Sequence, residues 1–326
     1  MKKSKILLNL LVTTITTISL IAGTAVSASA HTLQYGFSVI SDTHIGINDN
    51  SSHTQQAMTN TARALNCIKN NFPNDKCIVI NGDVVDNYYD SSYSTLANIV
   101  NNANSSGKRL PYIYFNLGNH EFKKQGTYSS DPSDYNWCIS QFVTQTRAIQ
   151  VKLSPASNVS YSCRDTDKAY DLQHVNNTPF FFLGTDSIDW GSTNDCAYLN
   201  PDYQLNYLDN HIGSGLSFVF CHQPPYNTVD GSDSSNCITN TDDLSQVLNR
   251  HPKAIMFTAH THLSFENSSD YGKLGVCPIF SSPSIYENSE GYHVNVYDDC
   301  VYVQGIKYLS NNNYATDGNW STTVSR

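Results

Sequence analysis

Positive charge is scarce in this chain of 326 residues, which has 19 Lys and Arg residues against 28 Asp and Glu residues. The formal net charge of −9 argues against a general affinity for nucleic-acid backbones or anionic lipid surfaces. A small phosphorylated ligand remains compatible with this charge, because bound metal ions can reverse its sign locally. No feature of the sequence sets an oligomeric state.

Long apolar runs are absent after residue 30, so we expect no membrane span in the rest of the chain. In residues 1–30, three lysines precede an apolar stretch from residue 6 to about residue 26, and Ala28-Ser29-Ala30 has the small-x-small pattern of a secretory cleavage site. An uncleaved membrane anchor is the alternative. Because Thr and Asn interrupt the stretch, we favour a signal peptide and a secreted, extracellular chain of 296 residues. Its charge would be −12, since the leader has three lysines and no acidic residue.

Cysteine pairs with the CxxC spacing of a zinc knuckle are also absent, although nine cysteines follow the leader. Export would permit disulfides, and the odd number leaves at least one cysteine without an intramolecular partner. Cys221 is our candidate for the unpaired cysteine, because it ends an apolar run where a buried thiol behaves as a small hydrophobe. Cys67 with Cys77 and Cys277 with Cys300 are plausible local bridges, and the connectivity stays open.

Repeats, coiled-coil heptads and long linkers are absent as well, and strand-like segments alternate with helix-like segments, which is typical of a layered α/β fold. We predict strands over 37–41, 77–81, 112–117, 180–184, 216–220 and 254–258. We predict helices over 54–70, 93–102, 202–211 and 241–249.

The last part of the chain has a different pattern, in which apolar and polar or aromatic residues alternate over 276–281, 291–297 and 301–308. This alternation indicates antiparallel strands at a sheet edge. We expect residues 311–326 to be a frayed tail. Three segments rich in Ser, Asp, Asn and Tyr read as inserted loops, and loops of such length are often functional. They are 123–136, 186–200 and 226–240.

Five short blocks rich in Asp, Asn and His each lie at or just after the end of an apolar, strand-like run. They are Asp42-Thr43-His44, Gly82-Asp83-Val84-Val85-Asp86, Gly118-Asn119-His120-Glu121, Cys221-His222 and Ala259-His260-Thr261-His262. Turns at the ends of strands in an open α/β sheet aim their side chains into a common crevice. Core packing does not explain why five separate strands should deliver polar side chains to one edge.

Seven side chains in these blocks are good ligands for divalent metals, and alone each has a simpler explanation as a turn, a cap or a core histidine. They are Asp42, His44, Asp83, Asn119, His222, His260 and His262. Together, and in this order, they predict a site for two adjacent ions that share one carboxylate. Two metal ions with a spare histidine beside them suit the hydrolysis of phosphate esters.

The five blocks resemble the signature of calcineurin-like binuclear metallophosphoesterases, which reads D-x-H, G-D-x-x-D, G-N-H-E/D, H and G-H-x-H. The resemblance spans residues 42–262 and implies a four-layer α/β/β/α sandwich with two mixed β-sheets over residues 31–310. It implies that Asp42, His44, Asp83 and His262 hold one metal ion. The second ion would be held by Asp83, Asn119, His222 and His260.

In this family scheme Asp83 bridges the ions, roughly 3.5–4 Å apart, and a metal-bridging hydroxide attacks the phosphorus atom. Ligands of mixed His, carboxylate and amide type suit Mn, Fe or Zn better than Ca or Mg. His120 would assist the leaving group, and Asp86 would hold His120 in the required orientation. Glu121 is left out of the catalytic set, because it can serve as a cap for the following turn.

Three positions depart from particular branches of the family. Ala259 stands where Gly is usual, so its backbone should avoid positive φ. Asn87 replaces the Arg of the Ser/Thr protein phosphatases, and Val85 and Asp86 leave no tyrosine ligand as in purple acid phosphatases. We therefore expect a secreted phosphoesterase that acts on a small phosphate mono- or diester. A non-catalytic secreted protein that binds metal or a phosphorylated ligand on the same scaffold is the alternative.

Overall fold

The structure is a computed structural model that describes residues 31–46, 51–105, 107–124, 127–128, 131–155, 157–160, 164–186 and 195–326. Its strands are β1 Leu33–Ile40, β2 Asp75–Asn81, β3 Tyr112–Asn116, β4 Lys123–Lys124, β5 Thr127–Tyr128, β6 Tyr170–Val175, β7 Thr178–Leu183, β8 Ser217–Cys221, β9 Ala254–Thr258, β10 Tyr271–Leu274, β11 Cys277–Ser281, β12 Glu290–Tyr297, β13 Cys300–Tyr308, β14 Tyr314–Ala315 and β15 Ser321–Ser325. Its helices are α1 Ser51–Asn71, α2 Asp90–Ser105, α3 Pro132–Gln150, α4 Asn206–His211, α5 Thr241–Asn249 and α6 Ile285–Asn288. Within these residues, no helix combines the length and the apolar character needed to cross a bilayer.

Two mixed β-sheets carry the fold. The first has the order β14-β13-β12-β1-β2-β3, with β15 also paired to β13, and β1, β2 and β3 run parallel. The second has the order β10-β11-β9-β8-β7-β6, and its four central strands run parallel. In the first sheet β12 and β13 are antiparallel and lie to one side of the parallel strands, as the alternating pattern over 291–297 and 301–308 predicts. The prediction for 276–281 is wrong, because β11 lies between β10 and β9 inside the second sheet and runs parallel to β9.

The two sheets face each other across an aromatic core. The ring of Phe37 on β1 lies 5.0 Å from that of Phe180 and 4.8 Å from that of Phe218, both in the second sheet. Because side chains alternate along a strand, Val219 and Cys221 of β8 point to the opposite face and pack with residues of α4 and α5. This burial on both faces explains why β8 is a continuous apolar run.

Helices cover the outer faces of both sheets. Residues Ala57, Ala64, Leu65 and Ile68 form the predicted apolar side of α1, and all four are buried in the cluster that includes the first sheet. The second sheet is covered by α4 and α5, which gives the order helix, sheet, sheet, helix. This arrangement confirms the predicted α/β fold of two mixed sheets between helices.

The end of the chain corrects one expectation. Residues 311–326 are not a frayed tail, because β15 pairs with β13 from Cys300 opposite Ser325 to Gln304 opposite Ser321. The open hydrogen-bonding edge of β13 gives this segment a partner, and an edge strand without one is a liability. Val324 and Trp320 also pack against the core.

The segment 123–136 is also more regular than predicted. It contains the short hairpin of β4 and β5, and α3 begins at Pro132. Asp131 caps this helix, since its carboxylate accepts a hydrogen bond from the backbone N–H of Ser133 at 2.8 Å. Proline in the first turn favours the helix, so this start signal was present in the sequence.

Neither disulfide suggested by spacing forms in the structure. Cys67, Cys77, Cys277 and Cys300 are free thiols, and Cys277 and Cys300 lie on strands of different sheets. Cys221 is buried and free, as are all the other cysteines in the described part of the chain. Cys163, residues 187–194 of the predicted loop 186–200, and the predicted signal peptide lie outside the described residues.

Candidate metal centre

The five polar blocks meet where the parallel strands end. Asp42 follows β1, Asp83 follows β2 and His222 follows β8, and each of these three side chains is buried. His260 and His262 follow β9 in the same way. The sequence-based expectation that these strand ends share one crevice therefore agrees with the structure.

One group of four predicted ligands can hold a metal ion. Donor atoms of Asp42, His44, Asp83 and His262 all lie within 4.8 Å of one another. Oδ1 of Asp42 is 3.0 Å from Nε2 of His262, and Nε2 of His44 is 3.7 Å from Oδ2 of Asp83. Atoms bound to one ion at about 2.1 Å are roughly 3–4 Å apart, so the spacing fits a common ion.

A second group shares Asp83 with the first and adds His222 and His260. Oδ2 of Asp83 is 3.1 Å from Nε2 of His222, and the two imidazole rings lie 5.1 Å apart. Asn119 is buried one residue before His120, whose backbone N–H donates to Oδ1 of Asp83 at 2.9 Å. The structure thus brings Asn119 beside this group, and its role as a ligand stays a prediction.

The histidines are oriented to present Nε2 to the centre. Nδ1 of His44 lies 3.2 Å from Asp86, Nδ1 of His262 lies 3.2 Å from Glu287, and Nδ1 of His222 lies 2.8 Å from the backbone oxygen of Asn81. Each oxygen accepts a hydrogen bond from an Nδ1–H group, which leaves the lone pair on Nε2.

Two of these lone pairs face each other, because Nε2 of His44 lies 3.1 Å from Nε2 of His262. Two acceptors at this distance repel each other unless a proton or a cation lies between them. In the metal-free chain protons fill this role: burial opposes the charge on His262, but Asp42 and Glu287 outweigh burial and raise its pKa to about 11. The donor set is therefore one that a divalent cation fits.

The backbone at the ligands is strained. Five ligand candidates have positive φ angles: Asp42 at 52°, His44 at 43°, Asp83 at 47°, His260 at 73° and His262 at 57°. Residues other than Gly adopt this conformation at a cost of about 1–3 kcal/mol each, and such strain concentrates at functional sites. Ala259 is not among the residues with positive φ, so its replacement of the usual Gly leaves the neighbouring histidines in place.

Two glycines allow the ligand loops to approach each other closely. A Cβ atom on Gly118 would lie 2.3 Å from Oδ1 of Asp83, and one on Gly82 would lie 2.6 Å from the ring of His222. Gly82 also has a φ of 90°. Any larger residue at these positions must displace a ligand candidate.

Glu121 has a larger role than the turn cap that the sequence suggested. Its carboxylate is buried and accepts hydrogen bonds from the backbone N–H groups of Gly118 at 2.6 Å, Asp83 at 3.0 Å and Val84 at 2.8 Å. A fourth comes from Val85 at 3.2 Å. These bonds join two ligand loops, so Glu121 fixes the position of Asp83 through the backbone.

His120 lies at the edge of the centre. Its Nδ1 is 3.1 Å from Oδ1 of Asp86, and its ring centroid is 4.5 Å from that of His44. Burial opposes a charge on His120, yet the carboxylates of Asp83 and Asp86 outweigh it and raise its pKa. The predicted orienting contact between Asp86 and His120 is thus present, and Asp86 holds His44 as well.

Sequence reasoning missed Lys123 and Glu287. Nζ of Lys123 lies 2.7 Å from Nε2 of His120. The one sequence signal for this contact was the position of Lys123, three residues after His120 in a tight turn. Glu287 lies in α6, far along the chain from the motifs, and no residue pattern around it indicates contact with His262.

Comparison with known proteins agrees with this geometry. The family model for calcineurin-like phosphoesterases matches residues 37–264. No curated protein matches the chain. Among solved structures, a dimetal phosphatase from Danio rerio is similar with a TM-score of 0.54 and 14% identity, over 90% of this chain and 99% of that one.

A purple acid phosphatase from yellow lupin (Lupinus luteus) seeds is similar with a TM-score of 0.54 and 13% identity. The similarity covers 90% of this chain but only 54% of the lupin protein, so this chain spans about half the length of that relative. At such low identity these structures show the fold alone. The family model, in contrast, covers more than half of the residues and the whole set of ligand loops, and the chain belongs to the calcineurin-like phosphoesterase family.

Proposed function

We propose that this protein is an exported phosphoesterase that uses two divalent metal ions, of Mn, Fe or Zn type, to hydrolyse a small phosphate mono- or diester. The observation that carries the proposal is the sharing of Asp83 between two groups of ligand atoms. When bound, the ions would supply Lewis-acid activation of the phosphate and of the attacking water. Asp42, His44, Asp83 and His262 would hold one ion, and Asp83, Asn119, His222 and His260 would hold the other.

His120 would move the proton that the leaving group needs. Its Nδ1 is held by Asp86, so Nε2 is the nitrogen that can face a departing oxygen. Nζ of Lys123 lies 2.7 Å from this Nε2, so both groups would be within reach of an oxygen that departs there.

Orientation of the centre would come from groups behind the ligands. Glu287 holds His262, the backbone oxygen of Asn81 holds His222, and Asp86 holds His44. Glu121 fixes the loop of Asp83 through backbone bonds. These contacts pre-position ligands and proton donor before a substrate arrives, which is where such sites gain much of their rate.

Hydrolysis assays on metal-loaded protein test the proposal. The purified chain would be stripped of metal, supplied with Mn, Zn, Fe(II) or Mg in turn, and assayed with p-nitrophenyl phosphate and bis-p-nitrophenyl phosphate. The proposal expects metal-restored cleavage, which H120A lowers by about 10²–10⁴-fold while the bound metal is unchanged. The preferred ester would divide phosphomonoesterase from phosphodiesterase.

A non-catalytic metal- or ligand-binding protein on the same scaffold gives a different result in this experiment. It would bind the metal ions, leave both esters intact, and respond to H120A in neither property. Export is tested separately, by sequencing the N-terminus of the protein recovered outside the cells. Cleavage after Ala30 predicts a chain that begins at His31, and a protein retained in the membrane with its leader would contradict it.

A further inference from the structure

A cavity of about 250 Å³ lies between one edge of the first sheet and one edge of the second, apart from the ligand loops. Five aromatic rings in mutual contact line it. They are Trp320, Phe265, Tyr292, Phe280 and Tyr271, with centroids 5.6, 5.0, 5.8 and 5.1 Å apart from one ring to the next. The C-terminal segment, which was expected to be frayed, thus supplies one wall.

One carboxylate shares this cavity. Asp270 is 7% exposed, and its Oδ1 accepts a hydrogen bond from the Ser268 hydroxyl at 2.9 Å. Its Oδ2 is buried and has no hydrogen-bond partner in the part of the chain that the structure describes. The backbone oxygen of Asp270 accepts a hydrogen bond from the N–H of Ser281 at 2.7 Å, so the residue is fixed in place.

The surroundings of Asp270 are negative. Burial, together with the charges of Glu290 and Asp230, raises the pKa of its carboxyl to about 7. No Lys, Arg or His ion pair to Asp270 occurs among the described residues, and Lys307 is engaged with Glu266 and Glu290 at 2.8 and 3.2 Å. A buried carboxylate without a countercharge is unfavourable, and a cation in the cavity would relieve it.

We propose that this cavity binds a small organic cation, an alkylammonium ion, whose charge meets Oδ2 of Asp270 and whose alkyl groups lie against the aromatic walls. Aromatic faces attract ammonium groups, and the attraction grows when water is excluded. A neutral ligand would leave the charge of Asp270 uncompensated. An inorganic ion would find only one charged ligand, because the other polar side chains of the lining, those of Ser268, Ser269, Asn319 and Thr322, are neutral, and it would leave the aromatic walls without a partner.

Titration calorimetry with tetramethylammonium and methylammonium chloride tests the site, with sodium chloride as the matched salt. We expect saturable binding at one site per chain, weakened at least tenfold in D270N and in W320L, and unchanged in the surface variant D242N. W320L keeps the test decisive if D270N folds poorly. Heats no different from those of sodium chloride, or binding that survives both variants, would overturn the proposal. The phosphoesterase activity does not enter the readout.

A second, independent observation concerns Cys196 and Cys237. Ala197 and Ile238 form a parallel bridge, and the N–H of Ala197 donates to the oxygen of Cys237 at 3.0 Å. The two cysteines therefore lie side by side in register, on segments separated by about 4.8 Å. Disulfides need Cα atoms about 4.4–6.8 Å apart, and both thiols are buried and close enough that Cys196 contributes, besides burial, to raising the pKa of Cys237.

The geometry points to a disulfide between Cys196 and Cys237 that clamps the rim of the metal centre. The side chain of Gln223, the residue after His222, donates a hydrogen bond to the backbone oxygen of Asp195 at 3.0 Å. The disulfide would hold the segments on both sides of this hydrogen bond in place. An oxidised thiol–disulfide oxidoreductase would supply the oxidant. One thiolate of the pair attacks the disulfide of the oxidoreductase and forms a mixed disulfide. The second thiolate then attacks the sulfur of the first in this mixed disulfide, which forms the Sγ–Sγ bond and releases the oxidoreductase as a dithiol.

Peptide mapping of protein refolded with oxidised glutathione tests the bond. Alkylation without reduction should leave Cys196 and Cys237 in one cross-linked peptide that reduction separates. C196S/C237S should lower Tm by on the order of 5–10 °C, since the bond closes a loop of about 40 residues, and C277S should not lose the cross-link. Alkylation of both thiols before reduction would overturn the assignment.

Discussion

Nζ of Lys123 lies 2.7 Å from Nε2 of His120, beside the atoms that would hold the two metal ions. In the proposed mechanism, this contact would place the Lys123 side chain where the leaving group of a phosphate ester departs. A phosphomonoester carries more negative charge than a diester, so it gains more from a nearby ammonium group. Lys123 should therefore favour monoesters.

The first prediction concerns this preference. K123M should lower kcat/KM for p-nitrophenyl phosphate on the order of 10–100-fold and affect the diester less, because a charge at the developing leaving group is lost. K124M is the matched control, since Lys124 pairs with Asp134 at 2.7 Å instead. Equal values of kcat/KM for K123M and K124M on both esters would show that Lys123 has no part in the reaction.

The second prediction concerns Glu287. E287A should weaken metal binding about 10–100-fold, because the carboxylate that orients His262 through Nδ1 is removed. Chelator competition with Mn or Zn measures the affinity, and an unchanged unfolding midpoint of the metal-free protein shows that the fold is intact. E266A removes an exposed carboxylate and should bind metal as the unmodified chain does. Identical affinities for the two variants would contradict the role of Glu287.

The third prediction concerns the close approach at Gly118. G118A should reduce activity about 100-fold, because the added Cβ would meet Oδ1 of Asp83 and displace it. G215A is the control, since its Cβ would have no neighbour within 4 Å. Full activity in G118A would mean that the position of Asp83 is not set by this contact.

These positions show which features of the site could be predicted from the sequence and which could not. The alternation of strands and polar blocks predicts that Asp42, Asp83 and His222 lie at strand ends around one crevice. In the structure Asp42 and Asp83 follow neighbouring strands of the first sheet, and His222 follows a strand of the second. The sequence pattern could not indicate Glu287, whose contact with His262 arises only when α6 packs beside the crevice. It also gave Glu121 the role of a turn cap, since its four bonds come from two loops that meet only in the folded chain.

Longer-range pairing explains the other differences. Residues 311–326 have few apolar side chains and read as a tail, yet the free edge of β13 gives β15 its hydrogen bonds. The disulfide pairs suggested by spacing failed for a similar reason. Two cysteines that are close in the sequence need not lie opposite each other on neighbouring segments. Cys196 and Cys237 do lie opposite each other, because a β-bridge joins two segments that are distant in the chain.

The fourth prediction is a pH dependence of stability that comes from Asp270. Its pKa is raised to about 7 in the folded chain by burial, with Glu290 and Asp230 adding to the effect, whereas the unfolded value is about 3.9. A raised pKa gives stability that is present at low pH and lost as the pH rises through the folded value. D270N should therefore gain stability relative to the unmodified chain between pH 4 and pH 8, by up to about 4 kcal/mol.

Denaturant unfolding of both metal-free proteins at pH 4, 6 and 8 measures this difference. The D270N effect must grow with pH, since only the charged carboxylate is unfavourable in the cavity. A difference that is constant across the range, or that shrinks with rising pH, would show that Asp270 is ionised in the folded chain at all three values.

The central claim is that two metal ions share Asp83 and support hydrolysis. Titration of metal-stripped protein with Mn or Zn, with bound metal and cleavage of p-nitrophenyl phosphate followed in the same samples, tests it most directly. The account predicts that activity rises to a plateau at two ions per chain, and that D83N reaches neither the plateau nor that stoichiometry. Protein that binds two ions but cleaves neither this ester nor the corresponding diester would contradict the account.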